Sequence, residues 1–146
     1  MAYDAGHDLL HVAGVESNQS LEVNPATGAI AAARPELTYA SGDAHEGTDP
    51  ALAGEAYHGA MLYGIETNAN ALVVASPETG ALSTVADLGF NVYICSGLDV
   101  DTDGTAYAAL ATDSGSELYT IDLEHGNSSY LGDITGSPVH SIALRP

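Results

Sequence analysis

Two phrases in this chain are nearly the same: VNPATGAI from Val23 to Ile30 and ASPETGAL from Ala75 to Leu82. A looser third copy is IDLEHGNS, from Ile121 to Ser128. Their turn glycines, Gly28, Gly80 and Gly126, stand 52 and 46 residues apart. An internal period of this size is the signature of a repeat architecture, and it restricts the fold more than any other feature. Upstream of each glycine a run of about six residues alternates or is continuously apolar, as a strand does: SLEVNP, LVVASP and LYTIDL. Each run meets a four-residue turn ending in glycine, which can take the positive φ that closes such a turn. A second short strand follows: AIAAA, ALSTVADLG and SSYLGDI.

The strand before each hairpin also recurs, as LLHVAGV, MLYGIET and TAYAALA. Before the second and third of these lie LAGEAYHG and YICSGLDV, rich in small residues as a crowded centre requires. The reading is all-β, with four antiparallel strands per unit and three units, over approximately 1–36, 53–89 and 94–133. Four-stranded sheets at this period are the blades of a β-propeller. The 16-residue stretch from Leu37 to Leu52, LTYASGDAHEGTDPAL, is an insertion that lengthens the first spacing.

The whole ordered series of motifs, from NQSLEVNPATGAI through LYGIETNANALVVASPETGALSTVADLG and SGLDVDTDGTAYAAL to VHSIALRP, resembles the bacterial DUF4394 family. That resemblance implies a propeller-like domain of unassigned function. Members of that family typically carry further blades on the N-terminal side, which this sequence lacks, so the chain is expected to correspond to the C-terminal part of such a domain.

Three twisted sheets do not close a ring, since rings need about four to eight blades. An open arc leaves apolar surface and strand edges uncovered. The simplest remedy is a two-fold pair of chains forming a six-bladed ring. In that arrangement Val139–Leu144, read as a closing innermost strand, completes the first blade of the partner. In the alternative, Met1–Ala5 supplies that strand and the tail packs elsewhere.

Composition narrows the partners. The chain has 146 residues, 20 acidic against two basic side chains, Arg34 and Arg145, and a formal net charge of −18. Nucleic acid and anionic membrane are not expected as partners, because each needs a cationic face. Such a charge is tolerated best where salt is high, since screening is already about 8 Å at physiological ionic strength. A salty habitat is the preferred explanation, ahead of a multivalent cation ligand. No run approaches the length of about 18 apolar residues that spans a membrane, and no signal peptide is visible, so a cytoplasmic chain is the default expectation. Cys95 has no internal partner and sits in an apolar strand, which suits a buried, inert thiol.

Three constellations could carry chemistry. Asp99, Asp101 and Asp103 before Gly104 match the opening of a calcium loop, D-x-D-x-D-G, and make Ca2+ the one candidate cofactor. However, Leu110 stands where that loop needs its bidentate glutamate, and Asp103-Gly104 is also an ordinary hairpin turn. Asp43, His45 and Glu46 lie together in the insertion, as a ligand or metal site or as a turn in which Asp43 caps the backbone. His58 and His140 fall on or beside innermost strands. There they are either satisfied strand-end histidines or, with Glu55 and Asp99, members of a ring facing a central channel that binds a cation or titrates. Tyr57, Tyr63, Tyr107 and Tyr119 sit in strands, either packing between sheets or offering rings to a ligand. No P-loop, nucleophile elbow, H-E-x-x-H or C-x-x-C is present. These features lead to a non-catalytic scaffold or binding module of unknown ligand, completed by homodimerisation. The alternative is a propeller enzyme acting on a saccharide or lactone with axial carboxylates and a divalent metal.

Overall fold

The computed structural model describes residues 1–136 and 139–144. Those residues form thirteen strands and no helix, so none has a helix long and apolar enough to cross a membrane. The strands make three sheets. The first is β1 (Ala2–Asp4), β2 (Leu9–Ala13), β3 (Ser20–Val23) and β4 (Ile30–Arg34), antiparallel and in sequence order. A two-residue strand, β5 (Thr38–Tyr39), follows. The second sheet holds β6 (Leu52–His58), β7 (Met61–Glu66), β8 (Ala71–Ala75) and β9 (Ala81–Asp87), with β5 added parallel to β9. The third is β10 (Ile94–Val100), β11 (Thr105–Thr112), β12 (Gly115–Asp122) and β13 (Ser128–Asp133).

The repeated phrases are equivalent turns. In each, the glycine N–H donates back to the carbonyl four residues earlier: Gly28 to Asn24, Gly80 to Ser76 and Gly126 to Asp122, at 2.8, 2.8 and 2.7 Å. The N–H of that earlier residue donates across the turn to the residue after the glycine in all three. The three glycines have φ of 70°, 74° and 70°, a region that costs a Cβ-bearing residue free energy. One local geometry is therefore written three times.

Side chains alternate across the sheets, and the second sheet is buried on both faces. One face, with Leu62, Val73, Ala75 and Leu82, packs on Ala2 and Ala13 of the first sheet. The other, with Ile65 and Leu72, packs on Leu98, Ala108, Leu110 and Ile121 of the third. The leading strands gather: β6 lies beside both β1 and β10.

The insertion is not a plain loop. Thr38 N–H donates to the Gly80 carbonyl and Ala40 N–H to that of Leu82, which makes β5 the outer edge of the second sheet. At the N-terminus, Ala2–Asp4 pairs with β2 as the first strand of the first sheet. Residues 139–144, expected as a closing strand, are not a strand in this chain. They run in extended contact with β10, Leu144 N–H donating to Asp99 Oδ2 at 2.7 Å. Gly97 permits that contact, because a Cβ there would fall 2.5 Å from the Ile142 nitrogen. Of the two arrangements read from the sequence, a single chain adopts the one in which its own N-terminus supplies the strand. Arg145 and Pro146, part of the VHSIALRP motif, lie outside the described residues.

Candidate functional site

The leading strands enclose two cavities, and Glu55 on β6 borders both. The larger, about 560 Å³, is lined also by Cys95, Ser96, Ser116 and His140. The smaller, about 330 Å³, is lined also by Tyr3, Tyr57 and Asp99. Gly54 and Cys95 set the spacing between β6 and β10, since a Cβ on Gly54 would lie 2.3 Å from the Cys95 sulfur. Burial pushes the Cys95 thiol up to about 12, so it is not a thiolate nucleophile at neutral pH.

Glu55 is itself buried, and its carboxylate is fully engaged. Oε2 meets His11 Nδ1 in a short contact, while Oε1 accepts from the Ala13 N–H at 3.1 Å and pairs with the Met1 amino group at 3.0 Å. Burial works to raise the Glu55 pKa, but hydrogen bonds and charge from His11 and the amino group outweigh it and hold the carboxyl below its ordinary value. An ionised Glu55 requires the proton on His11 Nδ1. Nε2 of the neutral ring then accepts from the Ser20 hydroxyl, 2.7 Å away.

Hydroxyl, imidazole and carboxylate stand in the order of an acyl-transfer relay. Here, however, Ser20 and His11 are each 1% exposed and line neither cavity. No substrate reaches the hydroxyl in this arrangement. The relay instead ties β2 and β3 of the first sheet to β6 of the second.

The residues singled out in the sequence are distributed as follows. Glu55 and His140 meet at the larger cavity, and Glu55 and Asp99 at the smaller. His58 borders neither. It ends β6 against Gly104, its Nε2 3.5 Å from where a Cβ on that glycine would lie.

Asp43, His45 and Glu46 stay together in the insertion but are occupied in holding it. Asp43 accepts from the Thr84 N–H at 2.7 Å, the Thr84 hydroxyl at 2.9 Å and the His45 N–H at 2.9 Å. Its slight burial is outweighed by those bonds, which keep its pKa low. His45 reaches Asp87 on β9 at 3.3 Å, and Glu46 accepts from the Gly42 N–H at 2.8 Å.

The three aspartates of the DVDTDG segment diverge into separate backbone bonds. Asp101 accepts from the Thr102 N–H at 2.6 Å, Asp103 from the Thr105 N–H at 2.9 Å, and Asp99 from the Val100 and Leu144 N–H groups. Gly104 N–H closes the turn on the Asp101 carbonyl at 2.9 Å. Among the described residues no three His, Cys, Asp or Glu side chains converge as a metal site. Calcium takes six to eight oxygens around one centre, whereas these three carboxylates accept from separate backbone N–H groups.

His11 and Ser20 were not singled out in the sequence. The repeat contains the signal: 52 residues on from Ser20 is Leu72, fully buried, and 52 on from His11 is Tyr63, packed on the core. Polar residues at positions that another repeat fills with apolar ones need a buried partner.

Fold and site together define an all-β protein of three antiparallel meander sheets, with a carboxylate-bordered groove along their leading strands. The chain belongs to the family described as Domain of unknown function (DUF4394), which matches residues 4–143, nearly the whole chain. No curated protein matches it.

Proposed function

We propose that the three sheets are half of a six-bladed propeller, completed by a second copy of this chain, and that the ring is a non-catalytic scaffold. Its axial groove, bordered by Glu55 and His140, presents the binding site. The observation that carries this reading is the outward face of the first sheet. Leu10, Val12, Leu21 and Val23 are only half-buried there, and Tyr3 and Ile30 are exposed. Fifty-two residues on, the counterparts of Leu10, Leu21, Val23 and Ile30 are Leu62, Val73, Ala75 and Leu82, all buried under the first sheet.

The third sheet supports the same reading from the other end. Leu118 is half-buried and Leu131 exposed, whereas 46 residues earlier Leu72 is fully buried and Val85 packs on the core. Placing the third sheet of one copy on the first sheet of another repeats the two kinds of interface already present within the chain. A two-fold axis then closes the ring with two such contacts. Burial of apolar sheet faces drives the association, at about 25 cal/mol per Å². Charge opposes it, so salt strengthens it.

Light scattering over a concentration series at moderate salt tests the proposal. The expected mass is twice the 14.8 kDa of the chain. A folded protein that stays monomeric at every concentration would overturn it, as would association only with a different polypeptide that supplies the missing sheets.

A further inference from the structure

A second cleft lies between the first two sheets, at the end where the β1–β2, β6–β7 and β8–β9 turns meet, with Tyr57 as the wall it shares with the smaller axial cavity. It has a volume of about 470 Å³, within the range of small-molecule pockets. We propose that this cleft binds a neutral polyhydroxylated ligand, a short saccharide being the class that its donors, acceptors and apolar floor fit together.

The cleft contains a donor without a partner. Arg34 lines it with about a third of its side chain exposed and gives Nη2 to Glu22 Oε2 at 2.7 Å, its one side-chain hydrogen bond among the described residues. The other guanidinium N–H groups have no acceptor among those residues, and an N–H that a ligand would desolvate needs an acceptor oxygen from that ligand. The cleft also contains unused acceptors. Glu78 is exposed and makes no side-chain hydrogen bond among the described residues, and only one Glu22 oxygen is taken by Arg34. Between these groups lies an apolar floor of Leu9, Met61, Val74 and Pro77, with the half-buried ring of Tyr57.

Charge decides among ligand classes. Asp4, Glu22 and Glu78 face the cleft against Arg34 and His7, so an anion is repelled. A polyamine would satisfy the carboxylates, but it brings no acceptor for the guanidinium N–H groups of Arg34 and places like charge beside them. A sugar hydroxyl donates to a carboxylate and accepts from a guanidinium at once, and the C–H face of a sugar ring lies on aromatic and aliphatic surface. The cleft is built entirely within one chain, so this site is independent of ring completion.

The test is a titration of the full chain, followed by NMR chemical shifts, with maltose, cellobiose and lactose, and with glucuronate and spermidine as charged controls. At least one neutral disaccharide should shift resonances of the cleft, with a Kd of about 1–10 mM. Tyr57→Ala should weaken that binding about tenfold, while Tyr57→Phe, which keeps the ring, should retain most of it. Glu78→Gln, an exposed change that leaves the fold intact, should weaken it as well. The proposal is overturned if none of the three disaccharides binds, if spermidine alone does, or if Glu78→Gln, whose side chain borders only this cleft, binds as tightly as the parent.

Discussion

Ile30 and Leu82 occupy the same position in successive repeats, 52 residues apart, yet Ile30 is 63% exposed and Leu82 is 0% exposed. Each follows its turn glycine by two residues and belongs to the last strand of its meander. Only the presence of a neighbouring sheet separates them. Leu82→Ala should therefore destabilise the fold by about 2–5 kcal/mol, the cost of a cavity in a packed interior. Ile30→Asp should leave the midpoint of the dissociated chain almost unchanged while abolishing self-association. Urea unfolding and light scattering on both variants check the pair of outcomes. A parent-like dimer in Ile30→Asp would count against the proposed contact.

Removing Glu55 should expose the function of the buried relay. Glu55→Gln weakens the bond from His11 Nδ1–H and removes the counter-charge of the Met1 amino group, and losing hydrogen bonds to a buried charged acceptor costs about 1.5–3 kcal/mol. The pH dependence has a definite sign. The folded carboxyl titrates below its ordinary value of 4.5, because the contributions of His11 and the amino group exceed that of burial. On acidification the unfolded chain therefore takes up the proton first. The stabilisation is complete above about pH 4.5 and is lost as pH falls through the lower folded value. Urea unfolding at a series of pH values should show the advantage of the parent over Glu55→Gln shrinking in acid; parallel curves would contradict this.

The contact between β6 and β10 predicts a coupling. A methyl group at Gly54 would meet Cys95 Sγ at 2.3 Å, so Gly54→Ala should destabilise by about 1–3 kcal/mol through overpacking. Cys95→Ala removes the obstructing sulfur. The double variant should then be more stable than the sum of the single effects allows, by about 0.5 kcal/mol or more in a double-mutant cycle. Strict additivity would mean that the strands separate instead.

Calcium should leave the DVDTDG turn as it is. A ligand that binds the folded state raises the melting temperature in proportion to the logarithm of its concentration. Because Asp99, Asp101 and Asp103 each hold different backbone N–H groups, adding calcium to chelator-treated protein should not move the melting temperature beyond the effect of equal ionic strength. A shift with calcium that magnesium and sodium do not reproduce, and that Asp101→Asn removes, would reverse this assignment.

Much of the architecture was legible in the chain, because strands and tight turns follow from short-range physics. The continuous apolar run of Leu72, Val73 and Val74 marks a strand, and Pro77 and Gly80 mark its turn, with no reference to distant residues. Equivalent spacing did the rest, placing β2, β7 and β11 and their hairpins in register. The small fifth strand was not visible, since two residues, Thr38 and Tyr39, carry no periodicity and become a strand only by lying against β9. The first strand was ambiguous between Met1–Ala5 and the tail for a related reason. Both are short and apolar enough, and pairing with β2 is a tertiary choice.

The candidate site was less legible. Glu55 and His140 were identified by their position on or near leading strands, and the cavity between them follows from the way three sheets meet. His11 and Ser20 read as ordinary strand residues, because Glu55 is 44 positions from His11 and no local rule joins them. Conversely, Asp43, His45, Glu46 and the DVDTDG aspartates had the composition of a ligand site, but folding directs their oxygens to separate N–H groups. The amino-acid order by itself determined three repeats of four strands, since hydrogen-bonded turns and two-residue alternation are local properties. Only the tertiary structure decided which polar groups are shared, which are spent on the backbone and which apolar faces stay uncovered. Convergence of side chains depends on distances between segments, and no single segment encodes those.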